Sequence, residues 1–206
     1  SRRLALGAAP EQALLAHSFG GRDEGFARAN AALAQEGWVL RAAAGVASDQ
    51  PIHLVLVGVP DADRAWHLRH LLQLGAGARL TVVEQRVASG AHAHLANEIA
   101  HVQLEAGAQL THVRVQADAD GASLLLRTEA TLAADALYRR VDLELGAALS
   151  RHELNVALQG AQARLAANGV LLANGRRHLD TRLGIDHVAR DGRCDLVWRG
   201  LGAGRG

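Results

Sequence analysis

Apolar and polar residues alternate along most of the chain after Gly37. Leu124, Leu126, Thr128 and Ala130 fall on one side of an extended segment, with Leu125, Arg127 and Glu129 on the other. Val141, Leu143 and Leu145 alternate with Asp142 and Glu144 in the same way. A period of two marks a half-buried strand, because successive side chains of an extended chain point to opposite faces. Trp38 to Arg41 and Ile52 to Gly58 are short runs rich in branched residues, the second opened by Pro51. The first 36 residues have another texture. Pro10 to Ala16 places a proline at a first helical position with Glu11 beside it. The Ala-rich stretch from Asp23 to Gln35 sets Phe26, Asn30, Leu33 and Ala34 on one side and stops at Gly37. The pattern predicts a helical segment over 1–36 and a β-rich body over 37–206.

The body repeats. Leu74-Gly75-Ala76-Gly77-Ala78-Arg79-Leu80-Thr81 returns thirty residues later as Leu104-Glu105-Ala106-Gly107-Ala108-Gln109-Leu110-Thr111, differing at two positions. A third copy, Leu143 to Ser150, follows thirty-nine residues on, with weaker echoes at Gln159 to Leu165 and Gly200 to Gly206. Each reads as strand, tight glycine turn, strand. Units of 30 to 40 residues that repeat in this way predict a solenoid whose coils bury one another's apolar faces, with the small Ala and Gly residues in its corners. An antiparallel sandwich or barrel is the competing arrangement, since Gly-Ala-Gly turns also close hairpins.

Composition narrows the functions. The 22 basic residues, every one of them Arg, nearly cancel 21 acidic ones to a net +1, so no basic field points to nucleic acid or an anionic membrane. No apolar run approaches the roughly 20 residues of a membrane-spanning helix. The single Cys194 excludes an internal disulfide or an all-cysteine zinc site within one chain, and fits a reducing cytosol. The chain lacks an initiating Met and stops in a glycine-rich turn, so it is expected to be part of a longer protein. A solenoid ending there exposes its last coil, and the isolated chain is expected to self-associate, for instance as a homodimer.

The densest candidate metal cluster is His92, His94 and Glu98, with His101 close behind. Two imidazoles and a carboxylate suit zinc, iron or manganese, and H-x-H-x-x-x-E is half of a cupin-type metal motif. A cupin-like metal-dependent enzyme is thus the enzymatic alternative, although the flanking glycines are mis-spaced and the second half of the motif is missing. The ordinary reading is solvated strand histidines. His67 and His70 form another pair, but i and i+3 do not share a strand face and no carboxylate stands nearby in sequence. Cys194 with His187 and Asp186 or Asp180 composes a thiol–imidazole–acid set, with no local signature around the thiol. No phosphate-binding loop is present. No independent catalytic centre emerges.

Several blocks together resemble the SufB/SufD family of iron–sulfur cluster assembly proteins. They run from Gln50-Pro51-Ile52-His53-Leu54 through His67-Leu68-Arg69-His70 and the Leu74 and Leu104 turns, with Asn97-Glu98-Ile99 between. They close with His178-Leu179-Asp180-Thr181-Arg182, Asp186-His187, Cys194 and Arg199-Gly200-Leu201. Because SufB members are longer and richer in Cys, the SufD branch fits better. The resemblance implies a right-handed parallel β-helix (solenoid) preceded by a helical segment. It also implies a non-enzymatic cytoplasmic scaffold that pairs with SufB and the SufC ATPase and receives sulfur from a cysteine desulfurase. The cofactors it implies, a transient iron–sulfur cluster and reduced flavin, belong to the complex. The cluster-related Cys and His of the family and its SufC-docking helices map onto no position here, which leaves His92, His94, Glu98, His187 and Cys194 as the metal candidates.

Overall fold

A computed structural model of the chain describes residues 2–3, 25–61 and 64–206. One sheet, here sheet A, contains β2 (Trp38–Ala42), β4 (Ala65–Leu74), β6 (Leu95–Leu104), β8 (Ser123–Leu132), β10 (Leu149–Leu158) and β12 (His178–His187) in that spatial order. Sheet B contains β3 (Ile52–Gly58), β5 (Arg79–Ala88), β7 (Gln109–Ala117), β9 (Leu137–Glu144), β11 (Arg164–Gly175) and β13 (Arg193–Gly204). Every pairing among these strands is parallel. The chain therefore winds as a parallel β-solenoid of about six coils, one strand of each coil in each sheet. The antiparallel sandwich, and with it a cupin-like barrel, is not what the chain adopts.

Two local features bear on the helical reading of the first 36 residues. α1 (Gly25–Leu33) lies within it, whereas Arg2–Arg3 form a short strand, β1, antiparallel to Val39 and Trp38. An unpaired sheet edge exposes a row of backbone donors and acceptors, and β1 covers part of that row on β2. The predicted helix at Pro10 to Ala16 lies outside the described residues. Nine residues are too few for a helix stable on its own, and α1 is held against sheet A. The buried Asn30 donates to the carbonyls of Leu68 and Asn97 and accepts from Arg69 Nε at 2.7 Å.

Both sheets turn their alternate residues inward. At one corner the core is aliphatic: Leu74, Leu104, Leu132 and Leu158 stack in register along sheet A and are fully buried or nearly so. Opposite them stand Leu80, Leu110, Tyr138 and Leu165 of sheet B. The corner between these columns explains the repeat. Ala78, Ala108, Ala136 and Ala163 each have no exposed surface, because nothing larger than a methyl group fits there. The residue before each alanine takes a left-handed conformation: Gly77, Gly107, Asp135 and Gln162 have φ of 67°, 68°, 59° and 60°. Only glycine adopts that region without cost. Gln162→Gly is expected to raise stability by on the order of 0.5–1 kcal/mol, measurable as a higher urea midpoint with an unchanged slope.

The register corrects the repeat. Leu74 pairs with Leu104, Leu104 with Leu132 and Leu132 with Leu158, so these three successive steps are thirty, twenty-eight and twenty-six residues. The third copy, Leu143 to Ser150, lies at the opposite corner between β9 and β10, where Ala147 has φ 67°. Its similarity is real but has a different origin: this turn too combines small residues with one left-handed residue, Ala147. The true continuation of the Leu104 turn passes through Leu132 to Ala136 and Gln159 to Ala163, which the sequence presents only as a weak echo.

An ion-pair column inside the solenoid as the candidate functional site

On β9 the alternation has the opposite sense from a simple core strand. Val141 and Leu143 face outward and half-exposed, while Arg140, Asp142 and Glu144 face inward and are essentially buried. The same holds on β5 and β7, which turn Glu84, Arg86, His112, Arg114 and Gln116 inward. Sheet A answers with His70, Glu98, Thr128, Ser150 and His152. The half of the interior away from the alanine corner is therefore a polar column that crosses successive coils.

Its later part centres on two arginines. Arg140 Nε donates to both oxygens of Asp142 at 3.0 and 3.1 Å, and its Nη1 reaches the Tyr138 hydroxyl at 2.7 Å and His112 Nδ1 at 2.9 Å. Arg114 binds three carboxylates on the two flanking strands: Glu84 of β5 at 3.3 Å, and Asp142 and Glu144 of β9 at 3.0 and 3.4 Å. Ser150 donates to the other oxygen of Glu144 at 2.9 Å. Because a guanidinium only donates, His112 Nδ1 must accept, which leaves the proton on Nε2 facing Glu84 at 3.3 Å.

Burial sets the direction of each titration. Burial and then the Arg140 charge push the His112 pKa down, and burial followed by the Arg114 charge drives His152 well below the usual imidazole value. Burial alone pushes the Glu84 and Asp142 carboxyls up. At Glu84 the hydrogen bond from His112 and the Arg114 charge together outweigh this, and at Asp142 the Arg140 and Arg114 charges with the Arg140 hydrogen bond do, so both remain ionised well into acid. His112 and His152 are thus neutral imidazoles between fixed, paired charges.

Asp142, Glu144 and His152 are the one described group whose ligand atoms lie close enough together to hold a metal ion. Arg114 Nη1 contacts both of those carboxylates, so the cation among them is a guanidinium of the chain itself. The cluster therefore reads as a self-neutralised ion pair.

The earlier part of the column gathers residues singled out from the sequence. Glu98 accepts from Arg86 and lies 3.6 Å from His70 Nε2. Burial pushes its carboxyl up, but the Arg86 charge and the contacts with His70 and Arg86 together outweigh it, and its pKa falls to about 2. Arg86 continues to Asp118 at 3.9 Å, and Asp118 Oδ1 lies 2.9 Å from His92 Nε2. His92 and His94 are neither on a strand nor solvated: they stack at 4.3 Å in the connection before β6. His94 accepts from the Arg64 amide through Nδ1 at 3.1 Å and meets the Val59 carbonyl through Nε2 at 2.9 Å. His92, His94 and Glu98 thus each hold a different protein partner. His70 does have a carboxylate beside it, contributed by the next coil, and it stacks on Trp38 at 4.7 Å.

The last coil holds the remaining candidates. Cys194 points inward on β13, against the core. Burial and the neighbouring Asp195 raise its pKa, the reverse of what a nucleophilic thiolate needs. His187 and Asp186 end β12 exposed, and Asp180 pairs only loosely with Arg151 at 3.8 Å.

Charge alternates along one line of coils, Glu84, Arg114 and Asp142, which pair in direct register. Aligning the coils on the Leu74 and Leu104 turns is the signal that reveals this column, because it places opposite charges at the same inward position.

Comparison with known proteins agrees with the architecture. Residues 57–206, from β3 to the last strand, match the family model described as "SUF system FeS cluster assembly, SufBD core domain". An iron–sulfur cluster assembly SufBD family protein of Synechocystis is 26% identical over 186 residues, 84% of this chain and 41% of that protein. The iron–sulfur cluster assembly protein SufD of Escherichia coli is 27% identical over 121 residues, 59% of this chain and 29% of SufD. A SufBD family protein of Mycobacterium leprae is 30% identical over 124 residues, 60% of this chain and 30% of that protein. The chain thus spans less than half the length of the curated relatives it matches. A parallel solenoid matched to the family's core domain over all its coils after the first makes this chain a member of the SufBD family.

Proposed function

We propose that the chain acts in iron–sulfur cluster assembly as a non-catalytic scaffold subunit of a SUF machinery in the cytoplasm. In this reading it pairs with a SufB partner and the SufC ATPase and is supplied indirectly by a cysteine desulfurase. The observation that carries the reading is the match of residues 57–206 to the SufBD core domain, which covers the solenoid and its polar column together. Two physical points support it. The buried acids and bases described above engage one another, and the one thiol is inward and raised in pKa, so the described residues assemble no poised acid–base or nucleophilic centre. One cysteine cannot ligate a cluster by itself, so the cluster, as cargo, and any reduced flavin are carried by the complex.

Co-expression of the chain in its natural full length with SufB and SufC of the same source tests this, using size exclusion with iron and sulfide analysis. A single peak containing all three proteins with iron and sulfide is the expected result. Elution of the chain apart from both partners overturns the scaffold reading.

A further inference from the structure

The residues that β5, β7 and β9 do not bury form a continuous surface on the outside of sheet B. Val83, Val113 and Val141 are in register across three strands, and Asn168 of β11 separates them from Val197 on β13. A parallel row contains Val115, Leu143 and Val170, with Gln85 of β5 between it and Val55 on β3. The central members are half-buried by their neighbours, whereas Val55 and Val197 are 55% and 46% exposed. A contiguous aliphatic face of this kind on a sheet marks an interaction site.

One margin of the face is basic. Arg79, Arg164 and Arg193 occupy equivalent outward positions at the start of β5, β11 and β13, and Arg139 stands one outward step closer to the valines. All four are exposed, none has a side-chain ion pair among the described residues, and the exposed Asp195 of β13 is the carboxylate that shares their outward rows.

We propose that the outer face of sheet B is a docking surface for an acidic amphipathic helix of a partner protein, its apolar stripe on the valine rows and its carboxylates along the arginine margin. Six strands about 4.8 Å apart present roughly 24 Å, the length of a helix of about 16 residues. Charge decides among occupants. A second copy turned about an axis along the strands sets arginine margin against arginine margin. Turned about the solenoid axis, it sets that margin against Val57, Val87, Ala117, Leu172 and Leu201, which contain no carboxylate. A lipid surface is disfavoured because the face has no aromatic side chain and its valines lie flush with the sheet. The proposal goes beyond the assembly reading and does not depend on it.

The test uses the full chain and a synthetic 16-residue amphipathic helix with leucines on one face and glutamates on its flanks, followed by fluorescence anisotropy. Its lysine-for-glutamate counterpart and phosphatidylserine vesicles serve as competitors. The acidic peptide is expected to bind, and the affinity to fall at least roughly tenfold in Arg139→Glu/Arg164→Glu and at high salt. Val113→Thr/Leu143→Thr, which keeps strand-compatible residues on an outer face, is expected to weaken it as well. Equal binding of the lysine peptide, no effect of the arginine pair, preferential binding to the vesicles, or no binding of either peptide overturns the proposal. So does a wild-type dimer that Val113→Thr/Leu143→Thr converts to monomer in light scattering, since the face then closes on a second copy.

Discussion

Arg114→Met is expected to destabilise the solenoid by about 3–5 kcal/mol, the range for removing one partner from a buried ion pair. Arg114 is 5% exposed and is the one cation shared by Glu84, Asp142 and Glu144. Arg140 remains to serve Asp142, but Glu144 is left with Ser150 alone and Glu84 with His112. The variant retains the volume and loses only the charge, so cavity formation contributes little. Adding Glu144→Gln removes one stranded charge while keeping an acceptor for Ser150, and is expected to restore part of the loss. Urea denaturation of the single and double variants checks both statements, and equal midpoints for Arg114→Met and the wild type would refute the ion-pair account.

Acidification from pH 7 to pH 5 is expected to remove about 2–4 kcal/mol of stability. His112 and His152 are each 1% exposed, and burial lowers both pKa values. The unfolded chain, with ordinary imidazoles, then takes up protons before the folded one does. Their contribution is fully present above about pH 6.5 and lost as the pH falls toward the folded values, at up to about 1.4 kcal/mol per unit for each group. Glu84, Glu98 and Asp142 act in a second window. Their folded pKa values are depressed, so their contribution is present above the ordinary carboxylate range and lost below it, down to about pH 2 for Glu98. Thermal melts at half-unit steps should show the first decline, and His152→Gln should make it shallower. A melting temperature flat from pH 7 to 5 is incompatible with neutral buried histidines.

How much of this was legible beforehand depends on what each residue has to satisfy. The strands Trp38–Ala42 and Ile52–Gly58 and the Gly77 and Gly107 corners are local matters of branched runs and left-handed turns, and the sequence displays them openly. The Leu143 turn misled because, at the other corner of the solenoid, it also combines small residues with a left-handed one, Ala147. The polar column was hidden for another reason: alternation gives the period of a strand but not which face is inside. Val141 and Leu143 look like core residues on hydrophobicity alone. They are outside because Asp142 and Glu144 meet Arg114 on the adjoining strand, and that arginine comes from the preceding coil.

That inversion has a consequence for how the chain reaches its native state. A slip of one residue in β9 carries Val141 and Leu143 inward and Arg140, Asp142 and Glu144 into water. By burial alone the slipped strand is a respectable solution, so the landscape near this coil holds a close competitor. What tells the two apart is the loss of Asp142 and Glu144 as counter-charges for Arg114, which β7 has already committed to the interior and which then keeps Glu84 alone. The arginines therefore act as proofreaders of strand register, each coil checking the placement of the next as the solenoid winds.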